Sequence, residues 1–256
     1  MHNIIDSHCH LDFDAFDHDR DAVIERAGNH GIKHIVIPGV RRDSWARIDA
    51  ICSNNTRLHA CYGLHPYLAG EHSETDLACL RDWLAAHECV GVGECGLDYR
   101  KDQADKDIQL KFFHAQLEIA SMVNKPVVIH SVRATADVIM AIKNYPGLSG
   151  MIHSYSGSYE QALELIELGF YISLGGAITY ENAKKLRSTA RKIPLTSVLL
   201  ETDAPDQPDA EHHNQRNEPA YLVNVLNCLS ELRNEPVEEI ARATTRNATR
   251  LFNIQA

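Results

Sequence analysis

Short apolar runs alternate along the chain with longer stretches in which apolar residues recur every three or four positions. Several of the short runs hold Val, Ile and Leu without alternating polar residues, which is typical of strands buried on both faces of a parallel sheet. Eight strands are predicted from these runs, at residues 3–6, 34–39, 59–64, 89–94, 126–130, 149–153, 170–175 and 197–201.

Helical patterns lie between these strands and after the last one. The first seven are predicted at residues 21–29, 43–53, 74–86, 106–123, 133–143, 159–168 and 180–190. Two more follow an irregular loop at residues 203–217. Pro219 and Pro236 suit the first turns of these two helices. Asn217 and Asn234 are predicted as their caps.

The alternation of eight strands with helices predicts an α/β fold, a (β/α)8 TIM barrel. The alternative, an open doubly wound sheet, normally carries a Gly-rich turn after its first strand, where this chain reads D-S-H-C-H. No internal repeat or shift in composition divides the sequence, and a length of 256 residues is typical of one barrel. We therefore expect residues 1–256 to form a single domain.

The composition excludes some classes of function. The net charge of −10 argues against broad adhesion to duplex DNA or to anionic lipid, although cations bound in a site can still attract a small anionic substrate. The seven cysteines form no C-x-x-C motif, and the chain shows neither a secretory signal nor a long apolar run. These features predict a cytoplasmic protein with reduced thiols and no contact with membranes.

Side chains that can bind metals follow the ends of the predicted strands. Residues 6–12 read DSHCHLD, and on an extended chain His8 and His10 project to the same face. The other candidates at strand ends are Glu94, His130, His153 and Asp203. Because the strand ends of a barrel meet at one mouth, these six groups are predicted to converge there. Glu201 competes with Asp203 for the inward position, and the alternation along the strand leaves both possible.

Histidine and carboxylate ligands without cysteine suit Zn²⁺, Mn²⁺, Co²⁺ or Mg²⁺. Six ligands exceed the needs of one catalytic zinc ion, whereas two divalent ions that share a carboxylate would use them all. Glu94 is the natural bridge between them. It lies among small residues with no Lys or Arg near it in sequence until Arg100, so a metal is the expected partner of its carboxylate. Ions of this kind make bound water a nucleophile near neutral pH, and Asp203 is the candidate to accept the water's proton.

Three further residues are candidates for contact with the substrate. His65, in the motif GLHP, is predicted to bind a phosphate oxygen or to protonate the leaving group. Arg133 opens the loop after the fifth strand and is the leading cation for a phosphate, with Arg100 as a weaker candidate. Tyr99 is a candidate to stack on a base. Each also has a purely structural alternative, as a loop residue or a solvated surface group.

An ordered series of motifs resembles the TatD family of metal-dependent hydrolases, within the amidohydrolase superfamily. The motifs are DSHCHLD, GLHP (63–66), GECGLDY (93–99), PVVIHS (126–131), HSYSG (153–157), ETDAP (201–205), RNEPAYL (216–222) and TTRNATRLF (244–252). The resemblance implies one metal held by His8, His10, Glu94 and Asp203, and a second held by Glu94, His130 and His153. It also implies hydrolysis of phosphodiesters or phosphoesters, usually described as deoxyribonuclease activity.

The leading hypothesis is a two-metal phosphoesterase that acts as a 3′ exonuclease on DNA or RNA ends, or on small phosphoesters. The sequence has no stripe of Lys and Arg for long duplex contacts, and no obligate protein partner is inferred. A second hypothesis is an amide, lactam or ester hydrolase, including one that acts on aminoacyl-tRNA. Glu94 stands where binuclear members of the superfamily often carry a carboxylated lysine, which favours the first hypothesis. A third is a non-catalytic barrel that binds metals or a partner.

Overall fold

The computed structural model describes residues 2–255 and contains one eight-stranded parallel sheet whose strands pair in chain order. The strands are β1 (Ile4–Asp6), β2 (Ile32–Pro38), β3 (Leu58–Tyr62), β4 (Gly91–Asp98), β5 (Val127–Val132), β6 (Gly150–Ile152), β7 (Phe170–Leu174) and β8 (Val198–Leu200). Ser7 joins the two edges, because its backbone N–H and its hydroxyl both donate to the carbonyl of Leu200, at 3.0 and 2.9 Å. The predicted (β/α)8 barrel is thereby confirmed.

A helix follows each strand, and one more helix ends the described chain. The helices are α1 (Arg20–Asn29), α2 (Arg42–Ser53), α3 (Glu74–Ala86), α4 (Lys106–Val123), α5 (Thr135–Ile142), α6 (Tyr159–Glu167), α7 (Lys184–Lys192), α8 (Leu222–Arg233) and α9 (Val237–Phe252). Two begin later than predicted. Arg133 has a φ of +56°, which keeps it out of α5. Gly176–Thr179 form a 3₁₀ turn and Tyr180 is extended, so α7 begins only at Lys184.

The predicted caps Asn217 and Asn234 are wrong. The Asn217 amide donates instead to the carbonyls of Thr202 and Asp206, both at 2.8 Å, and so holds the long loop after β8. Asn234 ends α8 with a left-handed φ of 53°, a conformation that asparagine tolerates better than most residues. Pro236 immediately precedes α9.

Apolar residues fill the middle of the barrel, below its polar carboxyl end. The inner layer consists of Ile5, Val36, Cys61, Val128, Met151 and Leu199. The end of α9 closes the opposite opening with Leu251 and Phe252, which pack in the same cluster. The Asn247 amide fixes this helix by donating to the carbonyls of Leu195 and Val198 at the start of β8, both at 2.8 Å. The larger core lies between the outer face of the sheet and the helices.

All seven cysteines are free thiols. Within residues 2–255, none of the helices combines the length and the apolar character that crossing a membrane requires.

Candidate metal centre

The end of β1 presents His8 and His10 to the mouth of the barrel. The buried carboxylate of Asp6 accepts hydrogen bonds from the Thr202 hydroxyl, the Thr202 backbone and the backbone N–H of His8, at 2.6, 3.0 and 3.2 Å. Cys9 points away from the mouth and is fully buried, as the extended H-x-H pattern predicts. The extended backbone after β1 thus points both imidazoles in one direction. The hydrogen bonds of Asp6 attach this segment to the residues that follow β8.

Four side-chain atoms form a first donor group, made of His8 Nε2, His10 Nε2, Glu94 Oε2 and Asp203 Oδ1. His8 Nε2 lies 3.2 Å from His10 Nε2, 3.2 Å from Glu94 and 3.3 Å from Asp203. His10 Nε2 lies 3.4 Å from Glu94 and 3.5 Å from Asp203. Four tetrahedral ligands around one zinc-sized ion would be about 3.3–3.4 Å apart. The five separations are close to that value, as expected of atoms that can share a single divalent ion.

The other oxygen of Glu94 belongs to a second donor group. Glu94 Oε1 lies 2.9 Å from His130 Nδ1, 3.0 Å from His153 Nε2 and 3.1 Å from His65 Nε2. His130 Nδ1 and His153 Nε2 are 3.1 Å apart. The six predicted ligands thus meet at one place, and Glu94 gives one oxygen to each group.

Glu94 is a buried carboxylate among histidines. It is only 1% exposed, and within residues 2–255 its ion-pair partners are all imidazoles. Burial alone would raise its pKa, but His153, His65 and His8 outweigh that effect and hold the pKa well below its ordinary value. Glu94 is therefore ionised and is available as a bridging ligand.

The arrangement of lone pairs fits bound cations. Imidazole nitrogens that face each other at 3.2 Å, as in His8 and His10, or at 3.1 Å, as in His130 and His153, repel when both present lone pairs. A cation between them turns this repulsion into attraction. The Nδ1 atoms of His8 and His10 are buried without a hydrogen-bond partner in the described chain, so the polar contacts of both rings are made by the Nε2 atoms that face the carboxylates of Glu94 and Asp203.

Two further carboxylates lie behind the second donor group. Glu201 is buried, with Oε1 3.4 Å from His153 Nδ1 and 2.5 Å from the Ser154 backbone N–H that donates to it. Asp98 lies 3.1 Å from His130 Nε2. These contacts resolve the choice between Glu201 and Asp203: Asp203 faces the first donor group, and Glu201 lies behind His153.

Asp98 is held in turn by Arg100, whose Nε and Nη2 donate to its carboxylate at 3.0 and 2.6 Å. Burial would raise the pKa of Asp98, but hydrogen bonds from His130 and Arg100 hold it below its ordinary value. Sequence reasoning missed this role. The available signal was the even spacing of residues 94 and 98, which places both side chains on the same face of β4.

His65 is oriented as a hydrogen-bond donor. Its Nδ1 accepts the backbone N–H of Tyr67 at 3.0 Å, so in the neutral ring the proton sits on Nε2. Burial lowers the pKa of His65 to about 4, which keeps the ring neutral at physiological pH. Nε2 therefore offers a proton toward Glu94 and the cavity, whereas the other histidines can offer lone pairs.

A cavity of about 850 Å³ opens above the two donor groups. Its walls include Arg41, Tyr67 and Arg100 in addition to the donor residues. Tyr99 and Arg133, predicted as substrate contacts, do not line it. Arg133 is exposed outside the cavity, and Tyr99 is partly buried with the Lys106 ammonium 5.2 Å from its ring centroid. Arg41 and Tyr67 were not identified from the sequence.

Histidines and carboxylates gathered at the carboxyl mouth of a (β/α)8 barrel define the class of metal-dependent hydrolases with the amidohydrolase fold. The family model described as TatD related DNase matches residues 5–253, and the chain belongs to the TatD family.

Relatives across the whole chain support this assignment. The metal-dependent hydrolase YjjV of Escherichia coli K12 is 39% identical over 253 residues, which cover 98% of each chain. The metal-dependent hydrolase YabD of Bacillus subtilis 168 is 38% identical, covering 98% of this chain and 99% of the relative. The crystal structure of YjjV, a TatD homologue, superposes with a TM-score of 0.93 at 38% identity, covering 98% of each chain.

Proposed function

We propose that the protein is a phosphodiesterase that uses two divalent metal ions to remove nucleotides from the 3′ ends of single-stranded DNA or RNA. The observation that carries this proposal is the position of Glu94, whose two oxygens belong to two adjacent donor groups on the floor of an open cavity. A two-ion site of this kind suits in-line displacement at phosphorus. The seven free thiols support a cytoplasmic location for this activity.

The donor residues would form two metal sites that share Glu94. His8, His10, Glu94 and Asp203 would hold one ion, and Glu94, His130 and His153 would hold the other. Zn²⁺, Mn²⁺, Mg²⁺ and Co²⁺ all suit these ligands. When bound, the ions supply Lewis acidity to the phosphoryl group and lower the pKa of water.

Asp203 is placed to accept a proton, and His65 is placed to donate a hydrogen bond. Asp203 Oδ2 accepts one hydrogen bond, from the Gln207 amide, and keeps a second lone pair for a proton taken from water. His65 presents its Nε2–H toward the cavity, where it can donate a hydrogen bond to a phosphate oxygen or to the leaving oxygen. The acceptor Asp203 and the donor His65 therefore lie on opposite sides of Glu94.

The charge of the molecule favours a strand end as substrate. The net charge of −10 opposes long contacts with a polyanion, and the arginines that line the cavity are Arg41 and Arg100. A short single-stranded segment can enter the cavity, where these two arginines supply positive charge. A duplex, which needs phosphate contacts along its length, is disfavoured by the net negative charge.

Purified protein loaded with Mn²⁺ or Mg²⁺ should release mononucleotides from the 3′ end of a 5′-labelled single-stranded oligonucleotide. Asp203→Asn should lower the rate about 10²–10⁴-fold, because it removes a proton acceptor and a ligand. Asp82→Asn, on the exposed face of α3, is the matched control and should retain the parental rate.

Cleavage by Asp203→Asn at the parental rate would exclude Asp203 as the acceptor. A parent enzyme that leaves oligonucleotides intact but hydrolyses lactams or aminoacyl esters under the same conditions would replace the phosphodiesterase proposal with the alternative activity.

A further inference from the structure

The two sides of the cavity differ in charge. Arg41, Tyr67 and Arg100 come from the loops after β2, β3 and β4, and we call these three residues the arginine wall. The opposite side comes from the loops after β6 to β8 and includes Ser154, Asp206 and Gln207. Among the lining residues of the described chain, no Lys or Arg lies on that side. A phosphate next to the reacting one would therefore be attracted to the arginine wall.

Of the two arginines, Arg41 is the one free to bind a ligand. Arg100 is committed to Asp98, since its Nε and Nη2 both donate to that carboxylate. Arg41 Nη2 lies 3.4 Å from Asp43 and 3.9 Å from Glu71, whose side chains are 80% and 66% exposed. Ion pairs this exposed are weak, so a phosphate can displace them.

Tyr67 offers an aromatic surface beside Arg41. It is 59% exposed, which is unusual for so large a ring, and it lies on the cavity rim. Bases of single-stranded nucleic acids stack on exposed aromatic rings of this kind.

Backbone hydrogen bonds tie the segments that carry Arg41 and Tyr67 to His65. The His65 N–H donates to the carbonyl of Val40, next to Arg41, at 2.9 Å. The Tyr67 N–H donates to His65 Nδ1 at 3.0 Å. His65 Nε2 lies 3.1 Å from Glu94. The two segments are thereby positioned relative to Glu94 and the donor groups.

We propose that Arg41 and Tyr67 form a subsite for the nucleotide adjacent to the scissile phosphate, with Arg41 binding its phosphate and Tyr67 stacking on its base. This inference rests on the proposed phosphodiesterase activity and narrows its substrate to single-stranded oligonucleotides with at least two phosphates. Small phosphodiesters can reach the donor groups but leave this subsite empty.

Binding of a fluorescein-labelled phosphorothioate dT4, which resists hydrolysis, tests the subsite in the metal-loaded protein by anisotropy. Arg41→Gln should raise Kd about tenfold at low salt. It should also reduce the slope of log Kd against log salt concentration by about 0.7, the value for one phosphate contact on a single strand. Arg42→Gln removes the same charge from the next residue, which pairs with Asp76 outside the cavity lining, and should change Kd less than about twofold.

Tyr67 is tested in the same assay. Tyr67→Ala should weaken binding about tenfold, whereas Tyr67→Phe keeps the ring and should restore most of the affinity. The salt slope should stay constant in both variants, because the ring carries no charge. Equal losses in Arg41→Gln and Arg42→Gln, an unchanged Kd in Arg41→Gln, or no binding by the parent protein would each overturn the subsite.

Kinetics separates this inference from the proposed function. The ratio of kcat/KM for dT4 to that for bis(p-nitrophenyl) phosphate should fall about tenfold in Arg41→Gln and stay constant in Arg42→Gln. Hydrolysis of dT4 with a parental ratio in Arg41→Gln would reject the subsite and leave the activity intact. Specific binding that depends on Arg41, without cleavage of any phosphodiester, would support the subsite and reject the activity.

Discussion

At the scale of single residues, the carboxylates behind the histidines decide how firmly the second donor group is held. A histidine ligand is stronger when its second nitrogen donates to a carboxylate, which fixes the tautomer and the ring orientation. Asp98 accepts from His130 in this way at 3.1 Å, and Glu201 lies behind His153 at the longer distance of 3.4 Å. Neither residue needs to touch a metal to affect its affinity.

Glu201→Gln tests this role. The amide keeps the size of the side chain and can still accept from the Ser154 N–H, but the negative charge opposite His153 Nδ1 is lost. We expect metal affinity about 10–100-fold weaker, measured by competition with a chromogenic Zn²⁺ chelator. Glu167→Gln, on the exposed surface of α6, should retain the parental affinity. An unchanged affinity in Glu201→Gln would mean that His153 needs no carboxylate behind it.

Sequence reasoning predicts which residues meet but not how each ring is turned. The predicted convergence of the six candidate ligands at the carboxyl side of the barrel is seen in the structure, although β4 and β5 continue past Glu94 and His130, which were predicted to end these strands. The exclusion of Arg133 from the cavity depends on its left-handed φ of +56°, and the sequence of a loop does not fix such a value. The role of His65 as a donor depends on one backbone hydrogen bond from Tyr67. Contacts of this kind arise from the folded geometry.

At the scale of secondary-structure elements, the close approach of β4 and β5 places Glu94 beside His130. Gly96 pairs with His130 across the two strands and has a φ of +138°. A Cβ atom at Gly96 would lie 2.1 Å from the His130 carbonyl oxygen. Only glycine allows the two strands this spacing.

The prediction of eight strands succeeded because buried apolar runs mark them, whereas the start of α7 depended on a turn that no apolar pattern signals.

Gly96→Ala should therefore damage stability and metal binding together. We expect a loss of about 3 kcal/mol in the free energy of unfolding, from the clash and the strained φ combined, because β5 must move. Gly147→Ala is the matched control: its φ is also positive, at +87°, but no atom lies within 4 Å of the added Cβ. That variant should lose about 1 kcal/mol and bind metal normally. Urea unfolding and metal titration give the two readouts. Similar losses in both variants would show that backbone strain, and not strand contact, is the cause.

At the scale of the whole molecule, a pair of histidines near the closed end of the barrel makes the stability of the fold depend on pH. His34 and His59 lie on β2 and β3, on the same side of these strands as the inner residues Val36 and Cys61 and nearer the closed end. His34 Nδ1 is 2.9 Å from His59 Nε2. Burial lowers the pKa of both rings, and that of His59 falls from 6.5 to about 4. His59 is therefore neutral in the folded protein near pH 6.

This pair should make the fold lose stability as the pH falls. Between pH 6.5 and about 4, His59 is protonated in the unfolded chain but remains neutral in the folded protein. The free energy of unfolding therefore decreases as the pH falls through this interval. Because the ring is partly exposed, we expect about 1–2 kcal/mol from His59. The measurement is the difference in urea stability between the parent and His59→Asn at several pH values, with His18→Asn, at an exposed position, as the background. The free energy of unfolding of the parent, relative to that of His59→Asn, should decrease as the pH drops toward 4, because asparagine does not titrate in this range. A difference that stays constant from pH 7 to 4 would show that the pair at the closed end titrates equally in the folded and unfolded chain.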